Sequence, residues 1–169
     1  MQKRSLLVWL AAAPLAACGF RLRGAPDFSF RSLYVQSQPG SAIARELRRT
    51  LQGSGGKLTL LTEPAQLPQA EAILDILSEQ QERVVVGLNA SGQVRELQLR
   101  LRLRFGLRTP QGVELIPPTE LLQQRDVSYN ESVALSKEGE EALLFRNMQT
   151  DLVQQLMRRL AAVKVGAAS

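Results

Sequence analysis

The feature that most restricts this chain is a run of strict alternation. Leu97, Leu99, Leu101, Leu103, Phe105 and Leu107 interleave with Gln98, Arg100, Arg102, Arg104, Gly106 and Arg108. Successive side chains of an extended strand point to opposite faces, whereas a helix would scatter these residues around its axis. The run therefore predicts a β-strand with one apolar face to bury and one basic face to leave polar. Sheets of that kind are antiparallel or mixed and are covered on a single side. The rest of the chain must supply neighbouring strands and a cover for the leucines.

Both are legible. Residues 32–36 are strand-like and are broken by Pro39 and Gly40. Ser41 is suited to cap a helix in which Ile43, Ala44, Leu47 and Leu51 recur at helical spacing opposite Arg45, Arg48 and Arg49. Gly53 and the pair Gly55 and Gly56 stop that helix. Residues 57–62 are β-rich and closed by Pro64 and Pro68, after which 70–88 reads as one long strand ending in Val84, Val85 and Val86. The segment 89–93, with Ser91 and Gly92, has the chemistry of a tight turn. Beyond the alternating strand, a second turn at 110–112 and the pair Pro117 and Pro118 lead to a strand over 119–129 and a loop over 130–138.

The last predicted element is a helix over 139–163. Leu144, Phe145, Met148, Leu152, Leu156 and Leu160 recur at three- and four-residue steps, with Glu138, Glu140 and Glu141 early and Arg158, Arg159 and Lys164 late. The expected fold class is α+β: two helices packed on one face of a mostly antiparallel or mixed β-sheet with two long strands. About 150 residues suit one such domain, with 44% hydrophobic and 22% charged residues.

The N-terminus reads differently. Lys3 and Arg4 precede an apolar run over 6–15, then small residues and the sole cysteine, Cys18. This is the layout of a secretory signal, and the run is shorter than the roughly 20 residues a spanning helix needs. Leu15, Ala16, Ala17 and Cys18 resemble the lipobox of bacterial lipoproteins, in which the cysteine becomes the lipidated first residue. The expected organisation is a signal peptide at 1–17, a lipidated tether at 18–30, one domain at 31–165 and a tail at 166–169. Gly19 follows the cysteine where, by the same resemblance, an aspartate would favour inner-membrane retention, so the outer membrane is the expected destination. One acyl chain anchors weakly and several anchor durably.

Catalysis finds little support. Histidine is absent and the one cysteine is assigned to lipid, so serine nucleophiles lack their usual base and zinc would depend on carboxylates. The glycines form no phosphate-binding loop. Neither a cofactor nor a metal site is expected; a paired-carboxylate site depends on spatial separation that spacing alone does not give. The net charge of +5, two of it from Lys3 and Arg4, and an aromatic content of 5% also argue against nucleic acid as partner.

The basic strand face offers binding chemistry instead. Arg100, Arg102, Arg104 and Arg108 project on one side at about 6.6–7 Å per two residues, and guanidinium forks match phosphate oxygens. A phosphorylated lipid is a sensible ligand. The alternative is a solvated face whose arginines pair across strands with Glu79, Glu82, Glu120 or Asp126.

Cys18, Gly19, Phe20, Arg21, Leu22, Arg23 and Gly24 together resemble the start of the mature LPS-assembly lipoprotein family LptE, also called RlpB. The helix at 41–51, the hairpin through 89–93 and the segment Ala134, Leu135, Ser136, Lys137, Glu138 match in the same order along the mature chain. The resemblance implies a non-enzymatic partner and plug of the outer-membrane β-barrel LptD. It also implies assistance to that barrel's assembly, delivery of lipopolysaccharide to the outer leaflet, and direct lipopolysaccharide contact through basic residues. Lys137 is the position carried over from the family segment. The hairpin tip departs from the family, because Asn89, Ala90, Ser91 and Gly92 offer no base before Arg95; the arginines at 100, 102, 104 and 108 are the substitute. A lipid-binding or carrier lipoprotein with no barrel partner remains the alternative, and it predicts an apolar cleft sized for acyl chains.

Overall fold

The computed structural model describes residues 27–129 and 134–164, with 134–138 given by backbone course alone. The expected signal peptide, Cys18, the tether as far as residue 26, the loop at 130–133 and the tail at 166–169 lie outside the described residues. The elements run β1 (Ser32–Gln36), α1 (Ala42–Gly53), β2 (Thr59–Leu61), a 3₁₀ turn (Pro64–Gln69), β3 (Ala72–Leu88), β4 (Val94–Arg108), β5 (Glu114–Ser128) and α2 (Ala134–Ala162). The sheet order is β2-β1-β3-β4-β5. β1 pairs parallel with both β2 and β3, while β3, β4 and β5 form an antiparallel meander. The fold is therefore α+β with a mixed sheet, as the alternation predicts, with three long strands rather than two.

β4 owes its place in the long-strand meander to its own pattern. Leu99, Leu101, Leu103, Phe105 and Leu107 are all buried, at 0–1% exposure. The helices cover them: α2 contributes Met148, Leu152, Val153, Leu156, Met157 and Leu160, and α1 contributes Ile43, Ala44, Leu47 and Leu51. α2 lies against β4 and β5, and α1 against β2 and α2. The two helices are locked by Glu46, whose carboxylate accepts from Gln149 Nε2 at 2.6 Å and Thr150 Oγ1 at 2.7 Å.

Both hairpin turns use the same device. The amide of Gly92 donates to Asn89 O, and that of Gly112 to Thr109 O, each glycine in the left-handed region at φ +79° and +88°. A turn closed by a left-handed residue splices into the flanking strands with little strain only when that residue is glycine.

Two boundaries differ from the sequence reading. β5 begins at Glu114 and runs straight through Pro117 and Pro118, which were expected to precede the strand. β5 is an edge strand, where a missing N–H goes unnoticed. There Phe105 faces Thr119 and Leu107 faces Ile116, so the two prolines bulge opposite Gly106. The final helix begins at Ala134, not near residue 139, so Lys137 lies in the first turns of α2 and not in a loop. Weak helical periodicity before Glu140 concealed those turns.

Candidate functional site

The outward face of the sheet gathers Arg100, Arg102, Arg104 and Arg108 of β4, but it does not leave four free charges. Arg102 lies between two carboxylates: its Nη1 donates to Glu120 Oε1 at 2.8 Å and its Nε lies 3.4 Å from Glu82 Oε1. The hydrogen bond to Glu120 and the charge of Glu82 raise its pKa above the ordinary arginine value, so this guanidinium stays charged and locally neutralised. Arg108 forms a two-point pair with Asp75, at 2.7 and 3.4 Å, and reaches Gln36. Arg100 donates to Gln98. Arg104 is exposed, and among the described residues it has no ion-pair partner. Cross-strand pairing with Glu82 and Glu120 thus accounts for much of the stripe, and Arg104 and Arg100 are the members left to meet a ligand.

Glu79 and Asp126 were the other candidate partners, and each finds a different one. Asp126 Oδ1 accepts from Gln98 Nε2 at 2.8 Å. Glu79 lies on the opposite face. The cause is a bulge at Leu77: Ile76 faces Phe105, whereas Ser78 faces Arg104. One inserted residue reverses which side every later side chain points to. Glu79, Gln81, Arg83 and Val85 consequently stand on the helix side, opposite Leu103, Leu101, Leu99 and Leu97.

There Glu79 docks α1. Its carboxylate accepts from Ser41 Oγ at 2.8 Å and from the Ile43 amide at 3.4 Å, while Ser41 Oγ accepts from the Ala44 amide. Negative charge at a helix N-terminus meets unpaired amides and the positive end of the dipole. The shallow recess beside it, about 290 Å³ and lined by Pro39, Ser41, Leu77 and Gln81 among others, is thereby already served by an internal anion. Arg83 reaches Glu141 of α2 at 3.1 Å and Arg125 reaches Asp151 at 3.0 Å. None of these three contacts was read from the sequence, because each depends on the bulge or on how α2 crosses the sheet.

Lys137 has a backbone place in α2 only, and its side chain lies outside what the structure describes. Cys18 lies outside the described residues. Among the described residues no three Asp, Glu, Cys or His side chains converge as a metal site, and no helix is long and apolar enough to cross a membrane. What the arrangement can do is bind: it offers an open polar sheet face, an uncovered hairpin end and a filled interior. The class is an α+β domain with helices on one face of an open mixed sheet.

The comparisons with known proteins agree. The model of the family LptE, described as lipopolysaccharide-assembly, matches residues 30–160, and the chain belongs to that family. The LPS-assembly lipoprotein LptE of Yersinia enterocolitica is 30% identical over 94% of this chain and 75% of its own length. That of Pectobacterium atrosepticum is 28% identical over 94% and 85%. The solution structure of lipoprotein B from Nitrosomonas europaea superposes with a TM-score of 0.72 at 28% identity, covering 85% of this chain and 91% of that one. Membership in a lipopolysaccharide-assembly family accords with the expectation that the chain is not an enzyme.

Proposed function

We propose that this chain is an outer-membrane lipoprotein, anchored through acyl chains on Cys18, that partners and plugs the LptD β-barrel. In that role it assists the barrel's assembly and the insertion of lipopolysaccharide into the outer leaflet. The reading builds on the family match across 30–160, and the observation that carries it is the far end of the β3–β4 hairpin. Val85, Val86 and Leu88 are 51%, 46% and 61% exposed there, uncovered by either helix. A monomer seldom leaves such residues grouped in solvent without a partner. The strand β4 spans roughly 45 Å at about 3.3 Å per residue, longer than the hydrocarbon core of about 30 Å. A domain of that reach lodged in a barrel lumen extends toward both mouths.

The carrier alternative requires an acyl-sized cleft. Three recesses among the described residues are about 160, 290 and 310 Å³, at or below the small end of ligand pockets, and the space between helices and sheet is filled by buried side chains. Direct lipopolysaccharide contact is secondary in this reading. It falls to Arg104 and Arg100, with Lys137 from α2, since Arg102 and Arg108 would first have to give up their carboxylates.

Affinity purification of the tagged, lipidated protein from detergent-solubilised outer membranes tests the reading. A large β-barrel at equal stoichiometry is the expected result. Lipid recovered without a barrel would replace it with the carrier. Arg104→Ala should weaken recovery of lipopolysaccharide while leaving the barrel bound.

A further inference from the structure

The two ends of the molecule differ in charge as well as in apolarity. At the end opposite the hairpin tip, the segment before β1 and the residue that follows α2 are tied together: Ser29 Oγ donates to Val163 O at 2.7 Å. β1 and β2 are parallel, so Arg31 and Lys57, just before each, come to the same end; the Thr59 amide donates to Arg31 O. Asp27, Phe28, Phe30, Arg31, Lys57 and Leu58 border one recess of about 160 Å³. Arg158 and Arg159 stand over the last turn of α2 with Gln155 and Ala162, and Lys164 follows.

Arg31, Lys57, Arg158, Arg159 and Lys164 are all exposed, and among the described residues none has an ion-pair partner. Elsewhere Arg83, Arg102, Arg108 and Arg125 are each paired, and the other exposed arginines without an ion-pair partner among the described residues, Arg45, Arg49, Arg95, Arg104 and Arg146, are spread over α1, β4 and α2. The acidic side chains of this end are Asp27, Glu71 and Glu114, and Glu71 is engaged by the Arg31 amide at 2.7 Å. Set against those three carboxylates, the five cations leave this end with a net positive charge, although none of the five is held in an ion pair among the described residues.

We infer that, in the anchored protein before it enters a barrel, this basic end, built from Arg31, Lys57, Arg158, Arg159 and Lys164, rests on the anionic phospholipid headgroups of the leaflet that holds the anchor. The inference rests on the proposed lipidation of Cys18. Eight residues lie between Cys18 and Asp27, nine Cα steps that make a leash of at most about 32 Å when fully extended. A leash of that reach allows the patch to come within the roughly 8–10 Å over which salt leaves surface charges visible to one another. Lipid anchors commonly act with a polybasic surface as second signal. The consequence is an orientation: basic end on the membrane surface, apolar hairpin tip directed away from it.

Cys18 is the only cysteine, so an introduced cysteine gives a unique thiol on the lipidated full chain. A fluorophore on Ala162→Cys or on Ser91→Cys reports each end in vesicles carrying a headgroup quencher, made of phosphatidylcholine alone or doped with phosphatidylglycerol. The expected result is strong quenching at 162 with phosphatidylglycerol, reversed by salt and by Lys57→Glu, Arg158→Glu and Arg159→Glu together, with little quenching at 91. Equal quenching at 162 in both lipids, unmoved by the three reversals, would overturn the inference, as would quenching at 91 in its place.

Mass spectrometry of Cys18 separates the two claims. If the cysteine carries no acyl chain, the anchor reading fails and the patch is read from flotation. Phosphatidylglycerol-dependent flotation that the three reversals weaken by about tenfold or more keeps the patch, and its absence removes it.

Discussion

β3 and β4 are neighbours paired along nearly their whole length, yet they behave differently. β4 keeps its apolar residues on the helix side from Leu97 to Leu107, all of them buried. β3 begins the same way, with Ala72, Leu74 and Ile76 in the core, and then changes at the Leu77 bulge to Glu79, Gln81, Arg83 and Val85 on that side. The first strand is a wall of the core throughout. The second is a wall for its first turns and a set of polar struts afterwards. One strand thus holds the sheet under the helices while its neighbour fastens them at their ends, and a single inserted residue divides the labour.

The largest expected break of this contrast is truncation in β4. Leu103 is fully buried between the helices and the sheet, so Leu103→Ala should cost about 3–4 kcal/mol from lost transfer energy and residual cavity. Val85→Ala, at a position 51% exposed, should stay within about 0.5 kcal/mol. Urea denaturation of both variants measures the difference. Similar losses would mean that the far half of β3 is packed and that the division is illusory.

Next in size is the strut at Glu79. Glu79→Ala removes the acceptor of Ser41 Oγ and of the Ile43 amide and should cost about 1–2 kcal/mol. Hydrogen exchange should speed in the first turn of α1 and leave β4 unchanged. Glu79→Gln keeps an acceptor without the charge and should recover part of the loss. An unperturbed α1 in the alanine variant would reduce the bulge to a local irregularity with no role in docking.

These two strands also mark where sequence is informative. The alternation of β4 made its faces plain, and the helical periods of α1 and most of α2 supplied the cover, because each signal is local and repeats. The bulge at Leu77 carries no such mark: Ile73 and Leu77 flank Asp75 on one face while Leu74 and Ile76 occupy the other, so apolar residues stand on both sides and a regular strand would put Glu79 on the arginine side, where it is not. Pro117 and Pro118 looked like strand breakers because the sequence does not say that β5 is an edge. The basic end was half visible in Arg158 and Arg159 at a helix terminus. Arg31 and Lys57 join them only through the parallel pairing of β1 with β2 and the Ser29–Val163 bond, which spans 134 residues. Of the candidate site, the residues of the stripe were legible, but their neutralisation depended on strand register.

A third test concerns the far half of the same pair. At Gly87, opposite Glu96, an added Cβ would lie 2.9 Å from the Glu96 Cβ, closer than real side chains tolerate. Gly87→Ala should therefore cost about 1 kcal/mol and disturb the hairpin locally, with faster amide exchange near 85–96 and none in the helices. Glu96→Gly in the same chain removes the opposing Cβ and should restore much of the hairpin. Propagation of the disturbance into the core of β4 would show that the two halves fold as one cooperative unit, not as wall and extension.

The smallest effect is expected at the second strut, and it sharpens the comparison most. Arg83 and Glu141 meet at 3.1 Å with side chains 54% and 9% exposed. The exposed guanidinium is well solvated, so a double-mutant cycle between Arg83→Gln and Glu141→Gln should give a coupling of only about 0.5 kcal/mol. The Arg125–Asp151 pair, with both side chains near half exposed, should give less. Glu141→Gln should nonetheless cost less than Arg83→Gln, because removing the arginine leaves a nearly buried carboxylate without its partner. The reverse order would mean that Glu141 is held by water or by the start of α2 and that β3 fastens only α1.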